Sequence, residues 1–218
     1  MKTQFIGDVH GDMELLGRLV AAHRGPSIQL GDLGLGMPSY RKHEAILVAD
    51  GITTLPDGLP NDFKFVRGNH DSPEACAASP HYLGDWGMAG IAFYLSGGLS
   101  IDQDLRMHGV DWWPEEELSI VELGKAMSLY ERAKPIIVIS HACPTSIVSL
   151  MHTHHGPFNE RTAQAMDAML ERWRPRFWVF GHHHRPWRRY IGGTDFICVA
   201  KNEAMRLDID LRIPKEKP

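Results

Sequence analysis

Short apolar runs alternate with amphipathic stretches along the whole chain, the pattern of an α/β sandwich. Thr3–Ile6, Ser27–Leu30, Phe63–Val66 and Ile91–Leu95 read as strands. Ile136–Ile139 and Phe177–Phe180 are continuously apolar, as expected of strands buried on both faces. A helix capped by Asp12 and running to Arg24 would put Leu15, Leu16, Leu19 and Val20 on one face. Tyr40–Ala49 is expected as a helix, and so is a segment from Pro114 to about Ala133, opened by proline and three glutamates. Ala163, Met166, Leu170 and Trp173 recur at helical spacing. Trp187–Ile191 and Thr194–Val199 flank Gly192-Gly193, a hairpin signal. From Met205 to Ile213 apolar and charged residues alternate strictly, which predicts a half-buried antiparallel strand.

The 218 residues suit one domain, taken here as 1–218. No apolar run reaches the roughly 20 residues of a membrane span. Gly7, Asp8 and His10 interrupt any signal-peptide core. The expectation is a cytoplasmic enzyme with no membrane partner. Three widely spaced cysteines with no CxxC argue against a disulfide framework or a zinc ribbon. A net charge of −4 gives no basic field for a stable nucleic-acid partner. The 13 histidines are the unusual feature, because they cluster.

Five predicted strands run directly into candidate ligands. These are Gly7-Asp8-Val9-His10, Gly31-Asp32, Gly68-Asn69-His70-Asp71, Ser140-His141 and Gly181-His182-His183-His184. Sites in α/β folds form just beyond the carboxyl ends of strands. The glycine before a ligand in four of these loops would let the chain turn sharply. Aspartate, asparagine and histidine without thiolate suit Mn, Fe, Zn or Co. Asp8, His10, Asp32, Asn69, His141, His182 and His184 make seven candidates. That is enough for two cations about 3.5–4 Å apart sharing a carboxylate, which could acidify a bridging water and clamp a phosphoryl group.

These strings, in this order, resemble the calcineurin-like metallophosphoesterase family, with motifs spanning residues 8 to 184. The resemblance implies a four-layer α-β-β-α sandwich with mixed sheets. It implies hydrolysis of phosphate mono- or diesters, phosphatase or phosphodiesterase, by a metal-bridging hydroxide. Asp8, His10 and His184 would bind one metal, and Asn69, His141 and His182 the other. Asp32 would bridge both. Manganese is the first expectation, with iron, zinc or cobalt as alternatives in a divalent or mixed-valence pair. His70 would donate a proton to the leaving group or stabilise its charge. Asp71 would orient His70, and Arg67 would grip phosphate. Leu35 and Gly36 stand where many relatives carry aspartate and arginine, which argues against the Ser/Thr protein phosphatase branch. The stretch from Gly97 to Glu116, with Arg106 and Trp112-Trp113, is similar to small bacterial and phage members.

A small phosphate ester or nucleotide is the expected substrate. The alternatives are a protein phosphatase, a nucleoside polyphosphate hydrolase, a nuclease-like DNA-processing subunit and a non-catalytic scaffold. Among the remaining residues, His152, His154 and His155 are expected in a surface loop near the site mouth. His23, His43, His81 and His108 are expected at the surface. Trp112 and Trp113 are expected to pack the following helix, Arg185, Arg188 and Arg189 could attract an anion, and Cys143 could lie near the metals.

Overall fold

The computed structural model describes residues 2–43, 46–151 and 160–211. A first sheet has the order β12-β1-β2-β5, from β1 (Thr3–Ile6), β2 (Ser27–Gln29), β5 (Phe63–Phe65) and β12 (Ala204–Leu207). β1, β2 and β5 are parallel, and β12 pairs antiparallel to β1. A second sheet has the order β10-β11-β9-β8-β7-β6. Its strands are β6 (Trp86–Ala89), β7 (Ala92–Leu95), β8 (Ile137–Ser140), β9 (Phe177–Phe180), β10 (Trp187–Ile191) and β11 (Thr194–Cys198). Its four central strands are parallel, and each edge strand is antiparallel to its neighbour.

The two sheets pack face to face. Phe5, Ile28, Leu30 and Val66 of the first meet Ile137, Ile139, Val179 and Ile197 of the second. Their sequence neighbours point the other way. Ile6, Phe63 and Phe65 pack under helix α1 (Met13–Ala21) through Leu16 and Val20, and under Cys76 of α2 (Pro73–Ala77). Val138, Trp178 and Phe180 pack under α3 (Ile120–Ala133), α4 (Thr145–Leu150) and α5 (Arg161–Arg172). This is the expected α-β-β-α layering. It explains why β9 is apolar at every position and β8 at all but its last.

The local signals account for most boundaries. Asp12 accepts from the Leu15 N–H at 2.9 Å, and α1 stops at Ala21, ahead of Gly25-Pro26, rather than reaching Arg24. The helix expected from Pro114 is divided. A 3-10 turn covers Pro114–Glu116, and α3 begins afresh behind a capping box made by Ser119 and Glu122. The terminal alternation forms β12 only as far as Leu207, although Leu211 is still buried, and Ile213 lies outside the described residues.

The expected Tyr40–Ala49 helix is wrong. Pro38–His43 (β3) and Ile46–Ile52 (β4) form an antiparallel ribbon, with Tyr40 opposite Ala49 and His43 opposite Ile46. Ile46, Val48 and Ile52 are β-branched at alternate positions and favour the extended chain. Among the described residues no helix is long and apolar enough to cross a membrane.

Candidate metal centre

The carboxyl ends of β1, β2, β5, β8 and β9 meet at one edge of the sandwich, and the loops leaving them are bent hard. Among the described residues, six that are not glycine have positive φ. Four of these are candidate ligands: His10 (44°), Asp32 (57°), His182 (66°) and His184 (57°). Such backbone costs on the order of 1–3 kcal/mol each and persists only where surrounding structure enforces it. Gly68 and Gly181 are required by close approach rather than by a turn. A Cβ on Gly68 would lie 2.2 Å from Asp32 Oδ1, and one on Gly181 would lie 2.3 Å from Asp8 Oδ1. The carboxylates rest directly on bare backbone.

Two groups of side chains converge there, and they share Asp32. Asp8, His10, Asp32 and His184 place a ligand atom each within 4.8 Å of one another, as do Asp32, His141 and His182. His184 Nε2 is 3.1 Å from Asp8 Oδ2 and 2.8 Å from His10 Nε2. On the other side, His141 Nε2 is 3.3 Å from Asp32 Oδ1, 3.0 Å from Asn69 Oδ1 and 3.1 Å from His182 Nδ1. All seven expected ligands are therefore brought together. His141 faces inward because its Nδ1 donates to the Leu30 carbonyl at 2.8 Å. Asn69 is held by its amide, which donates to Ser100 Oγ at 3.1 Å, and Ser100 in turn donates to Glu116.

Residues 1–186 match the model of the calcineurin-like phosphoesterase family. The chain belongs to that family. Two solved structures are similar to this metallophosphoesterase. One is a conserved uncharacterized protein, a predicted phosphoesterase, from Streptococcus pneumoniae TIGR4. It is 14% identical, with 92% of this chain and 72% of that one covered and a TM-score of 0.41. The other is GAP50, the anchor in the inner membrane complex of Plasmodium, at 10% identity, 93% and 72% coverage and a TM-score of 0.47. The search of curated proteins found no match.

The electrostatics of the cluster are set by burial and by the mutual fields of its acids and imidazoles. Burial pushes Asp32 well up, and the facing Asp8 and Asp71 push it further. Burial acts on Asp8 in the same direction, but the hydrogen bond from His184 and the fields of His141, His184 and His10 outweigh it and leave Asp8 at about 2. Two facing buried carboxylates separate in this way when nothing neutralises both. The imidazoles go down, with burial as the first cause: His10 and His141 to about 4, His182 to about 3 and His70 to about 2. They are neutral at physiological pH, the form that ligates metal. In the metal-free protein, nitrogen-resolved NMR should therefore show these four rings neutral at pH 6 and charging only near or below about pH 4. Rings titrating near the ordinary value of 6.5 would contradict the geometry.

Three expected roles fall differently. Arg67 is only 2% exposed and turned inside, where its Nη2 donates to Asp85 Oδ1 at 2.9 Å. It is not among the described residues that line the cavity beside the ligands. Asp71 does not hold the His70 ring. Its two oxygens accept the Gly68 N–H at 2.8 Å and the Leu35 N–H at 3.0 Å, which ties the Asn69 loop to the Asp32 loop. His70 Nε2 instead lies 2.5 Å from Arg106 Nη2, whose guanidinium also pairs with Asp102 at 2.7 Å. Arg106 lines the cavity with Asp32, Asn69 and His70.

The sequence gives Arg106 no role, because no periodicity places the loop from Leu99 to Trp113. Glu160 also lines the cavity and carried no local signal. Cys143 Sγ lies 3.4 Å from His183 Nε2, behind the ligands. His81 and His23 bond to backbone carbonyls, Arg185 to that of Met151, and Arg188 pairs with Asp195. Trp112 packs edgewise on His108. His152, His154 and His155 lie outside the described residues.

Proposed function

We propose that this metallophosphoesterase is a dinuclear hydrolase of phosphate esters. The observation that carries the reading is Asp32, whose two oxygens belong to two separate ligand groups. Asp8, His10, Asp32 and His184 would hold one cation, and Asp32, Asn69, His141 and His182 the second. The donor set, without thiolate, suits manganese, with iron, zinc or cobalt next. Two such cations would acidify water and offset charge on a phosphoryl group.

The chain's own residues supply the rest. Arg106 presents guanidinium N–H donors to phosphoryl oxygens. His70 lies against it at the edge of the leaving-group space. Asp71 fixes the loop that carries Asn69 and His70, and Ser100 with Glu116 aims the Asn69 carbonyl at the second group. A small ester or nucleotide substrate is supported by the cavity of about 310 Å³. A cytoplasmic setting is supported by three free, buried cysteines.

The test is stoichiometric. Elemental analysis of protein reconstituted with manganese should approach two ions per chain. Chelation should abolish hydrolysis of an aryl phosphate ester, and manganese should restore it. Undiminished turnover in chelated protein that holds no metal would end the reading, and saturation at one ion would end its dinuclear part.

A further inference from the structure

The cavity beside the ligand groups is lopsided. Asp32, Asn69 and His70 form its floor, and Leu99, Ile101 and Val148 line another side. Arg106 is the only lysine or arginine among the described residues lining it, and Asp102 already pairs with it at 2.7 Å. Glu160, whose buried carboxyl is pushed up to about 8, adds no positive charge. About 310 Å³ is far more room than a phosphoryl group requires and is enough for a small organic body.

Charge and surface then choose the occupant. A second phosphate, or an acidic peptide arm, laid on Leu99, Ile101 and Val148 would meet no lysine or arginine other than Arg106 among the described residues lining the cavity, and burying an unpaired charge is costly. An apolar arm would cover Leu99, Ile101 and Val148 and gain about 25 cal/mol for each Å² taken from water. A diester has two arms, so one can leave from the His70 edge while the other stays on the apolar wall of Leu99, Ile101 and Val148.

We propose that the site selects phosphodiesters with an apolar or aromatic arm, laid on Leu99, Ile101 and Val148 while Arg106 holds a non-bridging phosphoryl oxygen. The proposal rests on the phosphoesterase reading above. The step is hydrolysis. Water adds to phosphorus, the P–O bond to one arm breaks, and that arm leaves with a proton as an alcohol or phenol. The other arm stays on the monoester product, and nothing is oxidised or reduced.

Three esters with one leaving group separate the possibilities in manganese-loaded protein: bis-p-nitrophenyl phosphate, methyl p-nitrophenyl phosphate and p-nitrophenyl phosphate. The kcat/KM for the first should exceed that for the other two by about tenfold or more, the scale on which apolar pockets discriminate. By calorimetry, diphenyl phosphate should bind more tightly than dimethyl phosphate. Ile101 is 62% exposed, so Ile101→Ser should fold normally and reduce the aryl-to-methyl ratio several-fold. Leu105→Ser, 89% exposed on the same loop and outside the cavity, should leave that ratio unchanged.

Equal rates for aryl and methyl diesters, a monoester turned over fastest, or an unaltered ratio in Ile101→Ser would each overturn the substrate class and leave the phosphoesterase reading standing. No turnover of any of the three by fully loaded protein would instead remove the reading underneath.

Discussion

Asp32→Asn is expected to lose at least one metal and about 10³-fold in hydrolysis, and to melt higher than wild type when both are stripped of metal. The loss follows from geometry. Asp32 Oδ1 lies 3.3 Å from His141 Nε2 and Oδ2 lies 3.6 Å from His10 Nε2, one oxygen toward each group. An amide offers one oxygen. That oxygen is already drawn to the His70 N–H, which now donates to Oδ1 at 2.7 Å, so the NH₂ is left facing His10 and His184. Several kcal/mol of charge stabilisation disappear with the cation, which is about three decades of rate.

The gain in metal-free stability follows from the same carboxylate. Its folded pKa is raised, by burial first and then by Asp8 and Asp71. The unfolded chain releases this proton near 3.8 while the folded chain keeps it. Wild-type stability therefore falls as pH rises from about 4 toward the folded value, and asparagine carries no such penalty. Melting of chelated proteins should show the gap in favour of the variant widening as pH rises above about 4. Adding manganese should reverse the order, since ligand at 100 times its Kd stabilises by about 2.7 kcal/mol. A variant that keeps two metals and full turnover, or that melts below chelated wild type at neutral pH, contradicts this account.

What could be read from the sequence divides along a physical line. Phe177–Phe180 and the strand after Ile136 were legible because both of their faces are covered by apolar layers. Asp8, Asp32, Asn69, His141 and His182 were legible because each follows a strand directly, four of them behind a glycine. The reason for those glycines was only half visible. Gly31 does turn with φ of 94°, but Gly68 and Gly181 are needed because a carboxylate oxygen touches them, and that contact joins residues far apart in sequence. Arg67 shows the opposite limit. Its place in a motif said what it could bind, not which way it faces, and Asp85 turns it inward. The Tyr40–Ala49 segment failed for a related reason. Its pattern is weak at either period, and pairing with a neighbouring strand decides the matter. Ser119-Ile120-Val121-Glu122 was a readable helix start that the acidic run after Pro114 obscured.

Arg106 and His70 should behave as one device. Arg106 Nη2 is 2.5 Å from His70 Nε2, and a guanidinium nitrogen can only donate. His70 Nε2 is therefore the acceptor, and the ring proton lies on Nδ1. The N–H groups offered to a substrate at this edge belong to the guanidinium, while the ring and Asp102 hold it in place. Removal of a preorganised donor of this kind costs about 10²–10³-fold in turnover, which is the loss expected for Arg106→Ala. His70→Ala should fall in a similar range, about 10²–10⁴-fold. The double variant should lie within about tenfold of the worse single one, because each change already disables the other residue. Arg106→Lys should recover little, since a compact ammonium cannot span Asp102 and His70 together. Neither residue belongs to a ligand group, so every variant should retain the wild-type metal content. Rates that multiply in the double variant, or metal lost from Arg106→Ala, would mean that the contact between these two side chains is packing and not part of the chemistry.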